Sequence, residues 1–83
     1  MKNFKVTAIG ELADAEFVAD TIEEATTAFE GFVNTPFYSL VNLVSNRTGE
    51  VLRDAVIEYE GFGKRVTDTK SSLYVEMEYI LGL

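Results

Sequence analysis

The chain has no histidine, no cysteine and no tryptophan, a single proline, and 7 basic residues against 14 acidic ones, for a formal net charge of -7. Without imidazole or thiol there is no near-neutral general base, no thiolate nucleophile and no disulfide or zinc staple. Any chemistry falls to carboxylates, hydroxyls and a few cations. The shortage of Lys and Arg argues against direct binding to nucleic acid or to an anionic membrane, both of which need clustered positive charge. No stretch approaches the roughly 18 apolar residues of a membrane span, and Lys5, Gly10, Glu11 and Asp14 interrupt any signal-like run near Met1. A soluble, cytoplasmic protein is expected.

What remains is apolar enough to fold. Of 83 residues, 47% are hydrophobic and 12% aromatic, too many for a disordered acidic tail and too few in total for two cores, so residues 1–83 read as one domain. A core of this size sits near the limit at which burial offsets conformational entropy, which makes self-association a natural way to gain more. The acids are front-loaded: Glu11, Asp14, Glu16, Asp20, Glu23, Glu24 and Glu30 face only Lys2 and Lys5 over residues 1–35, whereas Lys64, Arg65 and Lys70 make residues 61–72 the one basic segment. A domain about 30 Å across spans a length of duplex DNA carrying roughly 18 phosphate charges, so imitation of a whole duplex is excluded on magnitude. A local acidic patch that docks on a basic protein surface is not. Asn46-Arg47-Thr48 matches a glycosylation sequon but reads as turn composition.

Period-two alternation of Phe4, Val6 and Ala8 with Lys5 and Thr7 predicts a strand over Asn3 to Gly10, with Glu16 to Ala19 as a short return strand. From Thr21, the apolar residues Ile22, Ala25, Phe29, Phe32 and Val33 recur at helical spacing. Thr21 and Glu24 form a capping-box pattern, and Glu23 and Glu24 suit the positive end of the helix dipole. Asn34 suits a left-handed cap before Pro36. Phe37 to Ser45 and Val51 to Tyr59 read as two strands of a hairpin turned by Asn46-Arg47-Thr48-Gly49, with glycine where a positive φ is needed. The first of these strands is apolar on both faces, which marks it as central or as meeting a partner. On the second, Arg53 falls on the otherwise apolar side. The polar residues from Gly61 to Ser72 read as a loop. Residues 72–81 fit either a strand or a helix with Ser72 as cap and Gly82 as stop; the strand is preferred for its Tyr74-Val75 and Tyr79-Ile80 pairs.

The chemistry-bearing residues each have a plain structural reading. Glu76 with Glu78, and Glu58 with Glu60, would share a strand face about 6.6 Å apart and so could flank a hard cation, but alternating Glu is also what a solvated sheet face shows. Ser71 or Ser72 beside Lys70 lacks a positioned base, and Gly61-Phe62-Gly63-Lys64-Arg65 lacks the spacing of a phosphate loop. No catalytic, cofactor or metal residue is assigned. Phe4, Phe17, Phe29, Phe32, Phe37 and Tyr59 are assigned to a core, whereas Tyr38, Phe62 and Tyr74 are expected to project and to anchor an interface.

The segment from Thr21 to Ala55, TIEEATTAF followed by FYSLVNLVSNRTGEVLRDA, resembles the organisation of small uncharacterised helix-plus-hairpin proteins of phages and mobile elements. That resemblance implies an accessory protein, an inhibitor or regulator, and carries over no catalytic residue. Together these readings predict an α+β fold, one helix on a mostly antiparallel sheet of three to five strands. The predicted role is non-enzymatic binding of a protein partner with a basic surface through Glu16, Asp20, Glu23, Glu24, Glu30, Tyr38, Phe62 and Tyr74. The alternative is a homo-oligomeric assembly protein that pairs through a sheet edge or an apolar face.

Overall fold

The computed structural model describes residues 2–83. Strands β1 (Phe4–Gly10) and β2 (Ala15–Ala19) form a hairpin, helix α1 (Ile22–Val33) crosses over, and β3 (Tyr38–Ser45), β4 (Val51–Glu60) and β5 (Gly63–Lys70) meander before helix α2 (Ser72–Leu81). The strands make one antiparallel sheet in the order β2-β1-β3-β4-β5. The α+β class is as expected, with five strands and a second helix.

Alternation along the strands sorts the sheet into a covered and an open face. Val6, Ala8, Val41, Leu43, Ala55 and Ile57 point under the helices and form one core with Ala19, Ile22, Ala25, Phe29, Leu52 and Tyr74. Lys5, Thr7, Glu16, Val18, Leu40, Asn42, Asp54 and Val56 are register neighbours on the other face, which no described element covers. β3 is the middle strand, and this is why its sequence is apolar on both sides. A bulge after Leu43 puts Val44 opposite Val51 and lets Leu52 turn into the core.

α1 begins at the expected cap. The Thr21 hydroxyl accepts from the Glu24 N–H at 3.2 Å, and the Glu24 carboxylate accepts from that hydroxyl at 3.1 Å, where a full capping box would take the Thr21 N–H. Ile22, Ala25 and Phe29 form its buried stripe. The C-terminal end differs from expectation: Asn34 is right-handed, at φ -85°, and the last turn is closed by Thr35, whose hydroxyl donates to the Gly31 carbonyl at 2.8 Å. No cation lies in that last turn, but Lys64 reaches over from β5 and donates to the Val33 carbonyl at 2.9 Å, placing a positive charge at the negative end of the dipole.

Two segments overturn their sequence readings. The polar residues after Gly61 are not a loop: Gly61-Phe62 is a two-residue hairpin turn, with Gly61 at φ +57° as a II′-type turn requires, and β5 pairs with β4 from Gly63 to Lys70. β5 is exposed along its whole length, so burial left no apolar alternation in its sequence. Residues 72–81 are helical rather than extended. The cap is Ser71, not Ser72; its hydroxyl accepts from the Tyr74 N–H at 3.1 Å, and Gly82 closes the helix in the left-handed conformation. Among the described residues no helix is long and apolar enough to cross a membrane.

Candidate partner-binding site

A groove of about 690 Å³ runs between α1 and the edge strand β2. Phe17, Ala28, Gly31 and Phe32 make its apolar floor, Thr27 and Thr35 add hydroxyls, and Glu23 and Glu24 stand along it. β2 places Phe17 here because Phe17 pairs with Val6 on the covered face, yet the sheet ends at β2 and α1 covers only part of the ring, leaving it 42% exposed. Helical spacing does the rest: Glu24, Ala28 and Gly31 fall on one stripe of α1, facing β2. Among the described residues neither Glu23 nor Glu24 is held in an ion pair. The result is a mostly apolar trough whose fixed charge is negative.

The predicted contact residues divide. Glu23 and Glu24 are in the groove, Glu30 is exposed further along α1, and Glu16 is on the adjoining strand with its side chain on the open face. Asp20 lies between β2 and α1, where it accepts from Lys2 at 2.9 Å, a contact that raises the Lys2 pKa. The aromatic assignments fare differently. Phe62 is fully exposed, at the tip of the β4–β5 turn and away from the groove. Tyr38 is half-buried, edge-on to Phe32 with ring centroids 5.4 Å apart. Tyr74 does not project at all: it is 0% exposed, and its hydroxyl is 2.8 Å from the Thr26 hydroxyl, so it belongs to the core. Conversely Phe17, Phe37 and Tyr59, expected inside, are exposed, while Phe4 and Phe32 are half-buried. The groove floor was hidden in the sequence because Phe17 and Phe32 satisfy the strand and helix patterns of core residues; the one sequence signal was a second apolar residue, Val18, beside Phe17 in so short a strand.

Other clusters are committed to structure. Arg53 lies under the helices with its guanidinium 4.4 Å from the Phe29 ring centroid and 5.6 Å from that of Tyr74. It donates from Nε and Nη2 to Asp68, at 3.0 and 2.5 Å, and from Nη1 to the Tyr74 hydroxyl at 3.3 Å. Burial works against its charge, but those hydrogen bonds prevail and hold its pKa above the ordinary value. Glu58 and Glu60 both pair with Arg65. Glu76 and Glu78 are two positions apart on a helix and so do not share the face that a strand would give them, and Glu78 accepts from Lys70 at 3.0 Å. Ser71 is occupied as a cap and Lys64 by the end of α1. Among the described residues no three acidic side chains converge as metal ligands would.

A second exposed apolar surface lies on α2, where Val75, Tyr79 and Ile80 point away from the sheet around Glu76. The geometry of both surfaces stands without a relative to compare, since no family model, no curated protein and no solved structure matches the chain.

Proposed function

We propose that this protein is a small, non-enzymatic binding module that docks on a basic surface of another protein through the groove between α1 and β2, acting in the cytoplasm as an accessory inhibitor or regulator of the kind found in phages and mobile elements. The observation that carries the reading is the groove itself: an exposed aromatic floor beside carboxylates that lie outside the ion pairs formed among the described residues. Apolar contact supplies affinity there, and unpaired negative charge selects the sign of the partner and speeds encounter. Glu58, Glu60 and Glu78, three of the four carboxylates whose spacing suggested cation chemistry, are instead tied to Arg65 and Lys70.

The test is affinity capture from the native host followed by elution along a salt gradient. The partner should elute earlier from Glu23→Lys/Glu24→Lys than from the unaltered protein, and both should release as ionic strength rises. A complex indifferent to salt and to charge reversal at Glu23, Glu24 and Glu30 refutes the proposal.

Self-assembly is the second reading, and the outward face of α2 is what favours it. In that case sedimentation of the pure protein shows an oligomer that Tyr79→Ser/Ile80→Ser dissociates; a monomer at high concentration rejects it. Tyr74 cannot serve in such a test, because truncating a fully buried ring would unfold the chain instead of freeing a surface.

A further inference from the structure

The two edges of the sheet are unlike, and the difference says how a partner would engage. β5 carries Lys64, Arg65, Asp68 and Lys70 along its length, the charged pattern that discourages a further strand from pairing. β2 is Ala-Glu-Phe-Val-Ala, with no lysine, no proline and no bulge, and among the described residues β1 and α1 are the elements that pack substantially against it. Its outward backbone groups can be identified. The Asn46 N–H donates to the Asn3 carbonyl at 2.9 Å, so the polar groups of Asn3 point toward β3. Strict alternation then turns those of Phe4, Val6 and Ala8 toward β2, where they meet Ala19, Phe17 and Ala15. The N–H and C=O groups left facing solvent on β2 are therefore those of Glu16 and Val18.

We infer that the partner segment is an extended, basic strand that adds to the free edge of β2, making the sheet six-stranded. This rests on the binding function proposed above and specifies its mode. A strand in that place sends alternate side chains to opposite faces. Those on the covered face enter the groove over Phe17, Ala28 and Phe32 and must be apolar. Those on the open face pass Glu16 and Val18, where a lysine or arginine meets Glu16. Main-chain hydrogen bonds provide the attachment, and the groove provides selection. A second copy of this chain is disfavoured as the occupant, because each brings a net charge of -7 and the same Glu23 and Glu24 to the seam.

The probe is a capped peptide alternating valine with lysine, titrated into labelled protein while amide exchange is followed. In the free protein the Glu16 and Val18 amides should exchange quickly and that of Phe17 slowly, and bound peptide should slow the first two. N-methylating the lysine amides, which face β2 in an antiparallel pairing, should weaken binding about tenfold or more, while N-methylating the valines should not. Loss on valine methylation alone supports the strand in parallel register. Binding indifferent to both methylation patterns, or no binding, overturns strand addition. Val18→Pro removes one outward N–H and no ladder bond, and with it the two ideas separate in the host-capture experiment. A partner kept by Val18→Pro but lost by Glu23→Lys/Glu24→Lys refutes strand addition and leaves acidic docking standing; a partner kept by both refutes the two together.

Discussion

Arg53 occupies a position where the alternation of β4 calls for an apolar side chain, and its neighbours explain why a cation is held there. Asp68, opposite Ala55 on β5, projects to the same face and accepts three hydrogen bonds from its Nε and Nη2; the Phe29 and Tyr74 rings lie beside the guanidinium. Removing one partner leaves the other's charge poorly solvated, so Asp68→Ala should cost about 2 kcal/mol in urea unfolding, moderated by the partial exposure of that carboxylate. Arg53→Met, which retains the stem and deletes the charge, should cost less than Asp68→Ala; the reverse order would refute the stranded cation as the main penalty. Tyr74→Phe should cost about 1 kcal/mol through the lost contacts to Thr26 and Arg53. The exceptional placement of Arg53 was legible in the sequence. Its partner was not, because Asp68 lies 15 residues away in a segment whose polarity reads as a loop.

At the level of elements, the two helices are held unequally. α1 buries Ile22, Ala25 and Phe29 over three strands, whereas α2 buries only Tyr74 and keeps Val75, Tyr79 and Ile80 in solvent. Opening of α2 therefore exposes less apolar surface, and hydrogen exchange of its amides should run well ahead of those of α1. Comparable protection of the two would refute that ordering. Ser71→Ala should cost about 1 kcal/mol by removing the cap and should speed exchange in α2 alone. The same inequality accounts for which elements the sequence disclosed. α1 has a single buried stripe and a cap, so its period is unambiguous; α2 is apolar on both sides, and its residues fit period two as well as period 3.6. β5 has only Val66 among its apolar residues, so no period survives.

For the whole molecule, excess negative charge acts in opposite directions on stability and on binding. A chain of net charge -7 repels itself in the folded state, so Tm should rise from low to physiological ionic strength, while the complex with a basic partner weakens over the same interval. Tm falling with salt would mean that the surface pairs Lys2–Asp20, Arg65–Glu58 and Lys70–Glu78 outweigh the repulsion.

Local instructions were complete within a few residues for the capped start of α1, the Gly49 turn of the β3–β4 hairpin and the acidic character of residues 11–30, and these follow from composition, spacing and φ preference alone. Burial and edge status are relations between distant segments. Thr26 meets Tyr74 across 48 positions, Lys64 reaches the end of α1 across 31, and β2 is a free edge only because β3 pairs with the other side of β1. No local pattern encodes those relations, so it took the assembled sheet to put Tyr74 inside, to leave Phe17 half in water, and to align its groove with Glu23 and Glu24.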